Sequence, residues 1–302
     1  MEPQLASPIV TVGVPVYNSE KTIGQVLESI INQTYANIQI VISDNCSTDS
    51  TASICREFLE SDHRITLYEQ SENIGAVRNF EFVLNHATGE YFLWSAADDV
   101  RSLNFIEVNL QFLLNEPTYA ASTSPHIHSD QLKKQENIVK FSLEGTRVDR
   151  FAKFFRTPGA SHGIFYSLMR TELIKSCPFV KTQTFWGWDW AIILYLLTYG
   201  PIHRTKEGFA IFGAEGMSRS NEVKNLMGIK GVRRYIPFMD FNRQISKLIK
   251  DWKFFEKSYV LLLIVGLNLK TLAQSNKFTL LLFYYLKKFL YSPQRIINAR
   301  QK

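Results

Sequence analysis

Short β-rich runs alternate with helical periodicity through the first hundred residues, and that alternation leaves few folds open. The run 9–16, IVTVGVPV, ends in Pro15, which has no N–H for a ladder and is expected to close the strand. Ser19 is expected to cap a helix in which Ile23, Val26, Leu27, Ile30 and Ile31 recur at helical spacing. A second apolar run, 38–43, leads to Ser47, Thr48 and Asp49, which offer cap chemistry for a helix reaching about residue 60. Residues 64–68 read as a third strand. Val77, Phe80, Leu84 and Ala87 form the stripe of a third helix, with Gly89 as its expected stop, and 90–94 opens a fourth strand. Strand, helix, strand in this order gives an α/β fold with a mainly parallel sheet flanked by helices.

In such a sheet, ligands bind outside the carboxyl ends of the strands. Those ends carry Tyr17-Asn18, Asp44-Asn45 and Asp98-Asp99. One Asp after a strand is commonly a helix cap; three polar clusters on one edge point to a binding site. Beyond residue 104 the pattern loosens. A helix is expected over 105–114, mixed short strands and loops over 120–163, a short helix over 171–176, a strongly apolar helix over 191–198 opened by 186–190, loop over 208–221, and increasingly apolar helix from about 226.

Four segments in sequence, VPVYNSEKTIGQVLESIINQTY, VISDNCSTDST, ENIGAVRN and GEYFLWSAADD, resemble successive motifs of the family 2 inverting glycosyltransferases with the GT-A fold. The likeness is close over residues 8–105 and reaches Asp189 more weakly. It implies residues 1–105 as the nucleotide-sugar-binding half of a GT-A domain, 106–225 as the acceptor-binding half, and 226–302 as a helical C-terminal extension. It further implies a nucleoside-diphosphate sugar donor, with Pro15, Tyr17, Asp44, Arg78 and Asp98 around the nucleotide. Tyr17 suits contact with a flat base, and Asp44 suits acceptance of its imide N–H. Asp98 and Asp99 match the carboxylates that hold a divalent cation, Mg²⁺ or Mn²⁺, against the diphosphate; hard cations favour such oxygen ligands.

Inverting transfer also needs a base to deprotonate the acceptor hydroxyl. The resemblance places it at Asp189, with Trp186 and Trp188 suited to stacking on a glycan or lipid-linked acceptor. The chain departs from the family at three points. Ala96 replaces the first acid of the metal motif, Trp188 replaces the Glu before Asp189, and 213–218 contains no His, leaving Glu215 as a stand-in. His162 and His203 read as structural. The Gln-x-x-Arg-Trp motif of processive synthases is absent, which favours one sugar per acceptor. A nucleotidyltransferase, to which Lys21 alone lends support, and a non-catalytic sugar-nucleotide-binding protein are the rival readings.

Charge and cysteines set the surroundings. Residues 257–302 carry eight Lys or Arg and no acid. The chain is +6 overall, so the preceding 256 residues come to −2, too little for a nucleic-acid partner. Apolar runs at 259–269 and 278–285 fall short of the roughly 20 residues that span a bilayer. A basic, apolar segment of this kind fits an anionic membrane surface or a helical cap on the domain. Three cysteines without a pairing pattern, and no secretory leader at 1–8, suggest a cytoplasmic protein, peripheral on the inner face of the membrane.

Overall fold

Strand β1 (Val10–Val16) is buried along its whole length, because helices cover both faces of the sheet it centres. It lies between β2 (Ile38–Asp44) and β4 (Tyr91–Trp94), both parallel to it, in register Val10↔Ile38, Val16↔Asp44 and Gly13↔Trp94. β3 (Ile65–Glu69) continues the parallel order beyond β2. Helices α1 (Ile23–Ile31), α2 (Thr51–Ser61) and α3 (Ala76–Asn85) make the crossovers. The computed structural model describes residues 7–132, 138–157, 163–181, 185–213, 236 and 238–273.

After β4 come β5 (Val100–Arg101), α4 (Phe105–Asn115), β6 (Ala121–Thr123), β7 (His126–His128), α5 (Arg147–Arg156), β8 (Leu168–Arg170), α6 (Thr171–Lys175), α7 (Trp188–Tyr199), β9 (Ile202–Arg204) and β10 (Ala210–Phe212). The main sheet has seven strands in the order β3-β2-β1-β4-β8-β6-β9. Only β8 runs against the rest, pairing antiparallel with β4 and β6. The sheet therefore crosses residue 105 without a seam. A second sheet, β5-β10-β7, starts directly after Asp98-Asp99.

Period-2 alternation divides the core. Val10, Val12, Val14 and Val16 pack with Ile23, Leu27 and Phe105 on one face. Val41, Phe92 and Trp94 pack with Val83, Phe151 and the apolar helix α7 on the other. Gly13 faces the second layer: a Cβ there would lie 2.8 Å from both Phe92 and Val83, so a side chain would push α3 off the sheet. Helices α8 (Met239–Leu248) and α9 (Phe254–Ala273) complete this layer, α8 against α7 and α9 against α5.

Several local expectations need correcting. Pro15 lies inside β1, not at its end. Odd residues of β1 bond towards β4, but that ladder stops at Gly13↔Trp94, so the missing N–H of Pro15 has no strand partner to lose. Helix α1 begins at Ile23, and Ser19 serves it through its backbone carbonyl, which accepts from Thr22 and Ile23. Helix α3 ends at Asn85 with His86 as its cap. Gly89 instead lets β4 enter beside Ile9, whose carbonyl oxygen would sit 2.4 Å from any Cβ at 89. Within 120–163 lies α5, closed by a capping box in which Thr146 and Asp149 bond each other's backbone N–H. Within 208–221 lies β10, drawn into a strand by partners on both sides.

Candidate functional site

The parallel strands β2, β1 and β4 deliver Asp44, Tyr17 and the 95–99 turn to one edge, with strands about 4.8 Å apart. The loops after β1 and β2 are laced together. Asn18, in the left-handed region at φ 48°, donates its N–H to Ser47 Oγ and accepts from Thr48 N–H at 2.8 Å. Ser19 N–H donates to Thr51 Oγ1 at 2.7 Å, Glu20 N–H to Asp49, and Ser50 N–H to Glu20. The loop before α3 is tied in by Asn45, which donates to Asn73 Oδ1 and accepts from Ile74 N–H. Buried Asn79 braces the edge from below: it accepts from Ser43 Oγ at 2.6 Å and donates to the carbonyls of Ser43 and Val16.

On this platform Tyr17 is 46% exposed, whereas Asp44 is 2% exposed. Asp44 Oδ2 accepts from Ser47 N–H at 3.1 Å, while its Oδ1 is buried with no hydrogen-bond partner. An orphan carboxylate oxygen at a strand end is costly unless an incoming N–H or O–H satisfies it. Arg78 is exposed in the first turn of α3, after Gly75, whose φ of 84° requires glycine. Pro15, buried within β1, shapes the floor rather than presenting a polar group.

The acid turn closes through Asp99 N–H donating to the Ala96 carbonyl at 3.2 Å. Asp98 is half-buried and Asp99 buried. Asp99 Oδ1 accepts from Gly213 N–H at 3.1 Å, and a Cβ on Gly213 would stand 1.8 Å from Asp98 Oδ2. The end of β10 is thus the seat of both carboxylates. Beneath them lies Arg101, which donates to Ser95 Oγ at 2.7 Å and to the Trp94 carbonyl at 3.0 Å. Burial lowers its pKa, against the opposing pull of Asp99. Two neighbouring carboxylates, one of them half-buried, suit a Mg²⁺ or Mn²⁺ ion that takes its remaining ligands from phosphates and water. Among the described residues no third His, Cys, Asp or Glu joins them. Glu215 and His162 lie outside the described residues. His203 is held by Glu144 at 2.7 Å and stacks on Phe112, a structural role.

Asp189 stands in the first turn of α7, where the helix dipole favours a negative charge. Tyr166 joins it to the acid turn: burial, then the charges of Asp99, Asp189 and Asp98, hold its phenol well above the ordinary value. Its ring packs 5.5 Å from Phe212, next to the Gly213 seat. The two tryptophans expected on the acceptor side divide. Trp188 is only 7% exposed, donates Nε1–H to the Phe179 carbonyl at 2.7 Å, and packs on Phe80 and Phe165. Its faces are covered, so the expectation that it stacks on a sugar is corrected: it anchors α7. Trp186 is part-exposed, with Phe238 against it at 4.6 Å.

Residues 11–174 match the family model described as Glycosyl transferase family 2. The glycosyltransferase GlyA of Streptococcus pneumoniae is 44% identical over 98 residues, 32% of this chain and 14% of that protein. A putative teichuronic acid biosynthesis glycosyltransferase, TuaG of Bacillus subtilis, is 31% identical over 107 residues, 35% of this chain and 42% of that protein. The matched stretches thus span less than half of either relative. Among solved structures, TarS residues 1–349 of S. aureus with UDP-GlcNAc aligns over 89% of this chain and 74% of its own, at TM-score 0.65 and 17% identity. The mannosyltransferase PcManGT of Pyrobaculum calidifontis, with GDP-Man and Mn²⁺, aligns over 98% and 85%, at TM-score 0.54 and 20% identity. The fold is shared with both.

Proposed function

Because this chain belongs to glycosyl transferase family 2, we propose that it transfers a sugar, with inversion, from a nucleoside-diphosphate sugar to a glycan or lipid-linked acceptor in cell-surface polysaccharide synthesis. The observation that carries the donor assignment is Asp44: a buried carboxylate oxygen without a partner, beside an exposed tyrosine, at the strand edge. A base such as uracil brings an imide N–H for Asp44 and a flat ring for Tyr17. The exposed Arg78 faces the donor as a cation for the nucleotide. The names of the relatives support this direction: TuaG is named for teichuronic acid biosynthesis, TarS was solved with UDP and with UDP-GlcNAc, and PcManGT with GDP-Man and Mn²⁺.

Asp98, with Asp99 in support, would hold a divalent cation, which offsets charge on the departing diphosphate when bound. Asp99 keeps the turn in place through Gly213 N–H. Asp189 accepts the proton of the acceptor hydroxyl as that oxygen attacks the anomeric carbon and the bond to the diphosphate breaks. Trp186 offers an apolar wall on the acceptor side.

Titration calorimetry with UDP tests the donor assignment. Asp44→Ala should weaken binding by about 1.5–3 kcal/mol, the worth of a hydrogen bond to a charged group. Equal affinity in the variant would move the base elsewhere.

A further inference from the structure

Helix α9 buries Val260, Leu263, Ile264 and Leu267 in the core and turns a second apolar stripe outward. Phe254 is 76% and Phe255 85% exposed; Leu262 and Val265 follow at 38% and 49%. At 100° per residue, positions 255, 262, 265 and 269 fall on one side, and the only polar residue among them at that angle is Ser258. Charge lies at the margins. Lys247, Lys250 and Lys253 are exposed around the turn that joins α8 to α9, and Lys257 follows on the first turns of α9. Of the acids nearby, Glu256 is engaged by Arg147 at 2.8 Å, leaving Asp251 on the surface. Two adjacent, largely bare phenylalanines inside a rim of lysines make an unusual surface for a water-facing helix.

We propose that this face docks on an anionic lipid surface, with Phe254 and Phe255 entering the acyl boundary and the lysines meeting headgroup phosphates. The aromatic tip with long cationic stems at its edge is the chemistry of a bilayer interface. A second copy of the chain fits poorly, because a two-fold contact sets each rim of lysines against its own duplicate. Among the described residues no helix is long and apolar enough to cross a membrane, so α9 lies along the surface. The far end of the α8–α9 pair is fixed, since Asn268 accepts from Phe238 N–H and donates to Asn242 Oδ1. Docking at the tip therefore holds α7, and Asp189 with it, at a set height. The sequence that follows adds to the attraction, with six Lys or Arg and no acid over 274–302. None of these residues belongs to the strand-end site, so the proposal stands or falls apart from the donor reading.

Vesicle flotation with the full chain tests it, using phosphatidylcholine alone and phosphatidylcholine with phosphatidylglycerol, at low and high salt. The full chain should float with the anionic vesicles at low salt and release as salt rises. The double variant Phe254→Ser/Phe255→Ser should lose roughly tenfold or more in partitioning. Lys250→Glu/Lys253→Glu should lose the salt-sensitive part. UDP binding and thermal midpoint should stay as in the parent for both. The proposal is overturned if the parent ignores anionic vesicles, or if both variants float as it does. It is equally overturned if sedimentation shows a dimer that the serine variant dissolves, which would make the face a contact between copies.

Discussion

The two sides of the candidate site are held in place by different physics. The strand-end edge is a lattice of short polar bonds, in which Asn18, Asn45 and Asn79 each bridge loops far apart in sequence. On the side of Asp189, α7 is seated by rings, with Trp188 on Phe80 and Phe165, Trp190 stacked on Phe238, and Gly187 backed against Phe241. Directional bonds fix positions one atom at a time, which suits the nucleotide site proposed here. Packed rings fix a surface and tolerate repacking, which suits the role proposed for the side around Asp189.

The largest effect should come where the two sides meet. Asp98→Asn should lower transfer by roughly 10³-fold or more, the several kcal/mol of charge stabilisation at stake. The thermal midpoint without metal should be unchanged or higher. Parent-like turnover in the presence of Mn²⁺ would remove Asp98 from the chemistry. Asp189→Asn should cost about 10²–10⁴-fold in turnover, the range of general base catalysis, and leave UDP affinity nearly intact. A matching fall in affinity would place Asp189 on the donor side.

A pair of structural variants tests the contrast itself. Asn79→Ala strips partners from Ser43 and Val16 and should cost about 1–3 kcal/mol of stability, with weaker UDP binding. Trp188→Phe loses the bond to the Phe179 carbonyl and some packing, at a similar cost in stability, and should lower turnover while sparing UDP. If the two variants affect UDP binding alike, the division between the edges is false.

The smallest effect concerns acid. Hydrogen bonding and then the charge of Arg64 hold the Asp62 carboxyl below its usual range, and Arg64 also donates to the Ile31 carbonyl at the end of α1. A carboxylate with a lowered folded pKa adds stability above its unfolded value near 3.9, and that stability fades as pH falls through the folded value. Asp62→Asn should therefore cost about 1 kcal/mol or less at neutral pH and narrow the loss of stability below pH 4. Denaturant melts at pH 7 and pH 3 would show a smaller difference for the variant than for the parent.

Much of the fold of residues 9–94 was legible in sequence because its signals are local. Strand and helix periods alternate cleanly there, and Asp44 and Asp98 follow directly from the strands that present them. Asn79 carried a signal that went unused, a polar residue one turn before Val83 on a helix, and so did Thr146-x-x-Asp149, the capping box of a helix not expected within 120–163. The roles of Tyr166 and Gly213 were not readable. Each matters only because β8 and β10, distant in sequence, come home to the acid turn, and no local pattern encodes that return. Trp188 misled for a related reason: a tryptophan beside a candidate base looks the same in sequence whether its ring faces a ligand or the core.

The seat that β10 provides for the acid turn has a consequence for how such an enzyme is able to change. Residue 213 has no room for even a methyl group while Asp98 stands where it does. Position 213 is therefore conditional on position 98, although the two lie in different sheets. Asp98 can be exchanged while the glycine stays, but a larger residue at 213 needs the Asp98 side chain to move or to shrink first. For an engineer, the acid turn can be varied alone, whereas a library at the end of β10 has to vary the acid turn with it.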